Sequence, residues 1–168
     1  DLHSHFLPAV DEDGGEYGGY ARLMTKIREQ RRIDPDAILV DGGDFAMGSL
    51  FQTAYPTDAL ELRMMGAMGY DVTTFGNHEF DYQLPRLTEL NGMSNTKFLS
   101  CNFAKIGEDA SYFEPYTIVS YGNVDIAYIG ITTPETITSA YPSQFKNDNG
   151  EIIYTFNEEN LCEIVQAN

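Results

Sequence analysis

Two stretches of this chain, DAILVDGGD at 36–44 and DVTTFGNHEFD at 71–81, share one layout: a short β-rich run closes on glycine and then on side chains able to bind metals or carry protons. Apolar runs this short read as buried strands, and glycine at the exit lets the backbone turn tightly in front of a functional residue. Helical periodicity fills the intervals. Tyr20, Leu23, Met24 and Ile27 recur on one face of residues 18–32, with Arg22, Lys26 and Arg28 opposite. A second helix is expected from an N-cap at Thr57 to a stop at Gly69, with Leu60, Met64, Met65 and Met68 as an apolar stripe that fills the core. Strands at 37–40, 71–75 and 97–103 and a helix at 84–90 continue the alternation. Such a pattern predicts an α/β fold, in which loops at the carboxyl ends of strands converge on a ligand crevice.

The last third reads differently. Residues 114–132 form two β-rich runs that meet at Tyr121-Gly122-Asn123, the signature of a hairpin. Residues 132–150 are polar and contain proline, which predicts a surface loop. A final helix is expected after Asn157 as its cap, with Glu158 and Glu159 in the first turn.

At 168 residues the chain suits one domain. No run approaches the roughly 18 to 20 apolar residues of a membrane span. The formal charge of −16 opposes binding to a nucleic-acid polymer, which needs Lys and Arg against its phosphates. Cys101 and Cys162 are too few for a disulfide scaffold and have no metal-site spacing, so neither is given a role.

Three clusters carry the chemistry: Asp1-x-His3, Gly43-Asp44 and Gly76-Asn77-His78-Glu79-x-Asp81. Carboxylate, amide and imidazole together make a mixed N/O donor set suited to Zn, Mn or Fe. DLHSH alone leaves two metal-site designs open, one on Asp1 and His3 and the other on His3 and His5. Each residue also has a plainer role: Asp44 as a turn residue, His78 as a buried structural histidine, Glu79 as an orienter of its turn, and Phe80 as core. His5 reads as a supporting or surface histidine, and Asp11, Glu12 and Asp13 as a solvated loop.

In order and spacing, DLH at 1–3, GD at 43–44 and GNHEFD at 76–81 resemble the calcineurin-type metallophosphoesterases, and within them the 5′-nucleotidase and UDP-sugar hydrolase branch. GGYARLMTKIREQRR, LVDGGDFAMGSLFQT and MMGAMGYDVTTFGNHEFD are similar to that branch as well, so the likeness runs through nearly the whole chain. DLHSHFLPAVDEDGG also resembles the start of a PHP-type phosphatase. That likeness leaves GGD and GNHEFD unexplained and calls for more histidines than His3, His5 and His78.

The first resemblance implies a layered β-sandwich flanked by helices (αββα), present here only in part. It implies two divalent metal ions, with Asp1 and His3 on the first, Asp44 bridging both and Asn77 on the second. It also implies His78 as transition-state stabiliser or general acid, oriented by Asp81. Residues 1–168 then correspond to the N-terminal portion of a catalytic domain, without its first strand and its later histidine motifs. The substrate implied is a small nucleotide or nucleotide sugar, with the rest of the catalytic domain and a C-terminal substrate domain as partners. The implied location is the periplasm, the cell surface or the medium. The alternative from another class is a non-catalytic module that keeps the fold, against which stands the intact set Asp1, His3, Asp44, Asn77, His78 and Asp81.

Overall fold

In the computed structural model, which describes residues 1–168, a small antiparallel pair, β1 (Ala9–Val10) and β2 (Glu16–Tyr17), precedes the first helix, α1 (Tyr20–Ile33). The apolar face read from the sequence turns inward: Tyr20 and Ile27 are buried, with Leu23 and Met24 packed against the same core. Next come β3 (Val40–Asp41), α2 (Tyr55–Asp58), α3 (Leu60–Met68) and β4 (Val72–Thr74). α4 (Leu84–Asn91) and β5 (Lys97–Leu99) complete the alternating part of the chain. Strands β3, β4 and β5 form a parallel sheet in that order, so the fold is mixed α/β, the class that the alternation predicts.

Two corrections concern this region. β3 pairs only at Val40–Asp41 rather than over 37–40, because the Leu39 N–H is taken by the Asp71 side chain at 2.8 Å instead of by a strand partner. The helix expected between Thr57 and Gly69 is broken. Ala59 stands at φ 48° between α2 and α3, and Thr57 lies inside α2 as no cap. The Gly69 stop holds: Gly69 is left-handed at φ 77°, and Arg31 donates to the Met68 and Gly69 carbonyls at 3.0 and 2.6 Å.

Beyond β5 the chain forms β6 (Ala104–Lys105), then the hairpin β7 (Tyr116–Tyr121) and β8 (Val124–Ile129). Its two-residue turn has Gly122 in first place at φ 59°. The hairpin attaches beside β5 through Ser100 N–H to Glu114 O and Cys101 N–H to Gly130 O, which ends the run expected at 97–103 after Leu99. Residues 132–150 are not simply a surface loop. They contain α5 (Thr136–Ser139) and a 3-10 turn, Pro142–Phe145, that drive Ala140 and Phe145 into the interior. β9 (Tyr154–Thr155) pairs with β6, and α6 (Leu161–Ala167) ends the chain. Asn157 does not cap α6: it sits at φ 47°, with its side-chain amide donating to Asn102 O at 3.3 Å. Cys101 is buried and Cys162 exposed, both as free thiols. No helix is long and apolar enough to cross a membrane.

Two apolar cores flank the sheet. One gathers Tyr20, Ile27, Phe45, Tyr55, Leu62, Met65 and Met68 under α1 and α3. The other gathers Phe75, Phe80, Phe103, Phe145 and Phe156, and Phe98 packs against both. Phe80 is fully buried, its ring 4.9 Å from Phe103 and 5.3 Å from Phe156 between centroids. Phe80→Ala should cost about 3–5 kcal/mol of unfolding free energy, read from the urea midpoint at unchanged slope.

Candidate functional site

Residues 1–4 run beside the loop that leaves β3. The Asp1 nitrogen donates to Gly43 O at 2.7 Å, His3 N–H to Asp44 O and Ser4 N–H to Phe45 O, each at 3.0 Å. The β3 loop is itself turned by Asp41, whose carboxylate accepts from Gly43 N–H at 2.8 Å and from Thr73 Oγ1 at 2.9 Å. Left-handed backbone concentrates here: His3 at φ 46°, Ser4 at 52°, Asp44 at 52° and Met47 at 63°. Such conformations cost free energy in non-glycine residues and persist where surrounding contacts over-determine them.

The side chains so placed converge. Ligand atoms of Asp1, His3 and Asp44 all lie within 4.8 Å of one another. His3 Nδ1 lies 2.9 Å from Met47 O; a carbonyl only accepts, so Nδ1 carries a proton and Nε2 is the nitrogen turned toward Asp1, 3.4 Å away. Asp44 Oδ1 accepts from His78 N–H at 2.9 Å. The His78 ring stands edge-on to His3 at 5.3 Å, and its Nδ1 is 2.8 Å from Asp81 Oδ2. Asp81 Oδ1 accepts from Tyr141 N–H at 3.0 Å, so the carboxylate is held at both ends. Of the six residues singled out from sequence, Asp1, His3 and Asp44 form one group and His78 with Asp81 an adjoining pair. Asn77 precedes the 3-10 turn His78–Asp81, half-buried. His5 is exposed and outside the group.

Glu79 holds these loops together. Its carboxylate is fully buried and accepts four backbone N–H groups: Asp44 at 2.9 Å, Gly76 at 2.8 Å, Phe45 at 3.1 Å and Ala46 at 3.2 Å. Burial pushes its carboxyl up to about 7, opposed by the amide hydrogen bonds and reinforced by the Asp44 charge. The two loops touch so closely that a Cβ on Gly43 would strike the backbone of Phe75–Gly76, and one on Gly76 would strike the Asp44 carboxylate. The sequence identifies Glu79 only as an orienter of its own turn; the partners from the β3 loop, more than thirty residues away, are invisible in it. The Met47 carbonyl that sets the His3 tautomer leaves no sequence signal, because every residue type offers a carbonyl.

Comparison with known proteins gives the chain a context. Residues 1–167 match the family described as Calcineurin-like phosphoesterase. The chain is 35% identical over 163 residues to the snake venom 5′-nucleotidase of Gloydius brevicauda, covering 90% of this chain and 27% of that protein. It is 34% identical over 151 residues to protein UshA of Yersinia enterocolitica, covering 86% of this chain and 26% of that protein. The solved structure of the sulfate thiohydrolase SoxB of Thermus thermophilus superposes with a TM-score of 0.76 at 26% identity, over 98% of this chain and 31% of that one. The chain thus spans less than a third of the length of these relatives.

Exchanging the Glu79 carboxylate for an amide sets an N–H₂ against backbone donors. Glu79→Gln should therefore lower stability by about 2–4 kcal/mol in urea unfolding and broaden the backbone amide resonances of residues 44–46 and 76.

Proposed function

From the premise that this chain belongs to the calcineurin-like phosphoesterase family, we propose that it carries part of a metal-dependent site that hydrolyses phosphate esters of nucleotides. The observation that carries this reading is the meeting of Asp1, His3 and Asp44 within 4.8 Å, with the His78–Asp81 pair alongside. The donor set fits divalent ions: the carboxylates are acceptor-only when ionised, and with Nδ1 committed to Met47 O the neutral His3 ring offers its lone pair at Nε2. In this reading Asp1 and His3 would hold the first of two ions, Asp44 would serve both and Asn77 would serve the second. Zn, Mn and Fe suit such ligands. Ions of this class supply Lewis-acid neutralisation of phosphoryl charge and lower the pKa of water.

The remaining chemistry belongs to the chain. Asp81 accepts a hydrogen bond from His78 Nδ1–H and orients the ring, so that in the imidazolium form Nε2 carries the exchangeable proton. Given up at Nε2, that proton neutralises the ester oxygen as its bond to phosphorus breaks and the oxygen of an attacking water, its own proton released to solvent, takes that place on phosphorus. The Glu79 bolt keeps Asp44 and His78 at fixed separation throughout, which is the preorganisation that electrostatic stabilisation requires.

We assign the rest of a layered β-sandwich, the further ligands of the second ion and the substrate-binding surface to segments outside residues 1–168. The 26% to 31% of relatives' length that the chain spans supports this division. Nucleotides and nucleotide sugars are the substrates proposed, on the strength of relatives named 5′-nucleotidase. A sulfate thiohydrolase with the same fold shows that the fold alone does not select the ester. A relative named for snake venom supports an exported protein.

Titration calorimetry with Mn²⁺ at neutral pH tests the site. Asp44→Ala should weaken Mn²⁺ binding at least about 100-fold, and unchanged affinity refutes the assignment. His78→Asn should still bind Mn²⁺, while AMP hydrolysis, followed by phosphate release in the longest active form of the protein, falls about 10²–10⁴-fold.

A further inference from the structure

Behind the metal-binding loops lies a carboxyl group that the proposed reaction does not use. Glu61 stands in the first turn of α3, fully buried. Its Oε1 accepts the Ser4 hydroxyl at 2.5 Å, while Oε2 has no hydrogen-bond partner, and neither have the buried hydroxyls of Tyr20 and Tyr55. Burial pushes the Glu61 carboxyl above its ordinary value, against the pull of the Ser4 hydrogen bond.

A fold gains little from such a group, since an apolar side chain of similar volume at a buried ionisable position is often as stabilising or more so. Buried polar atoms left unpaired in a native structure point to a purpose other than stability. The single partner of Glu61 indicates what that purpose is. Ser4 follows His3 directly, and both residues stand in the left-handed region, at φ 52° and 46°. The Ser4 main chain is already held at both ends, with N–H to Phe45 O at 3.0 Å and its carbonyl accepting Ser49 Oγ at 2.6 Å. The Glu61 hydrogen bond adds a side-chain anchor to this turn from a helix 57 residues away in sequence.

We propose that Glu61 is a positioning residue for the metal centre: acting through Ser4, its carboxyl holds the left-handed turn at His3 and so keeps His3 Nε2 facing Asp1 and Asp44. This rests on the reading that Asp1, His3 and Asp44 bind a metal ion. Groups hydrogen-bonded directly to metal ligands typically govern metal affinity by about 10–100-fold, and Glu61, one contact further out, belongs at the low end of that range.

The test measures Mn²⁺ affinity and the melting temperature of the metal-free protein in parallel, for wild type, Ser4→Ala, Glu61→Met, Glu61→Gln and the Ser4→Ala/Glu61→Met double variant. Glu61→Met should melt at or above the wild-type temperature and yet bind Mn²⁺ about 10-fold more weakly. That opposition is one a merely structural residue would not produce, because its loss would lower both readings together. Ser4→Ala should weaken binding to a similar degree, and the double variant no further than either single one, since both remove the same link. Glu61→Gln, which keeps an acceptor oxygen for Ser4, should stay within about threefold of wild type. A folded Glu61→Met within twofold of wild-type affinity overturns the proposal, as does a double variant whose loss is the product of the two. Should Glu61→Met fail to fold, Ser4→Ala decides alone: affinity within twofold of wild type overturns the proposal. A wild-type chain that takes up no Mn²⁺ at all overturns instead the metal reading beneath it.

Discussion

The site depends on one buried carboxylate with four amide partners. Glu79 accepts from Gly76 in its own loop and from Asp44, Phe45 and Ala46 in the loop after β3, so two loops that leave neighbouring parallel strands are tied at one point. Hydrogen bonds to a charged acceptor contribute about 1.5–3 kcal/mol each, and removing a carboxylate from water costs several kcal/mol, so gain and cost are of one order. What the arrangement secures is therefore geometry more than net stability. Asp44 is held by its own N–H on Glu79 while its carboxylate receives the His78 backbone N–H, which leaves little freedom for the Asp44 side chain or for the main chain at His78. The glycines at 43 and 76 are the steric condition for this contact, because no larger residue lets the two loops meet.

Each loop is also anchored by aromatic residues that flank its chemistry. Phe45 follows Asp44 into the core beneath α1 and α3, whereas Phe75 and Phe80 bracket Gly76–Glu79 and enter the second core. The candidate centre thus sits where two cores meet the ends of the parallel strands. Close packing transmits displacement rather than absorbing it, so the apolar interior sets the position of polar groups several residues away. The two histidines show the same economy of means. Each has Nδ1 committed, to a carbonyl in His3 and to a carboxylate in His78, which leaves Nε2 as the unengaged nitrogen of each ring.

The differences between sequence pattern and fold have specific physical causes. Thr57 looks like a helix cap, but Pro56 at the start of α2 and the left-handed Ala59 divide the segment into two short helices, and that break sets the start of α3 and with it the burial of Glu61. Residues 132–150 carry the polarity of a loop, yet Thr132 and Thr136 are buried and Phe145 is taken up by a cluster whose other aromatics lie as far back as Phe75. A pattern method scores such a segment by its own composition, whereas burial is decided by what it packs against. Asn157, a good cap by type, is drawn instead to Asn102 across the second core.

The sequence by itself determined the alternation of strands and helices, the placing of three polar clusters at strand ends, and the identity of the groups able to bind metal or carry a proton. Those properties follow from local periodicity, glycine placement and side-chain chemistry, all of which act within a few residues. Only the tertiary structure decided that Asp1, His3 and Asp44 meet, that the Met47 carbonyl engages His3 Nδ1, that the Glu79 carboxylate ties the two loops together, and that Glu61 reaches Ser4. These depend on backbone carbonyls and amides and on contacts made across 30 to 60 residues. Every residue type carries such groups, so no sequence pattern marks which of them will be used.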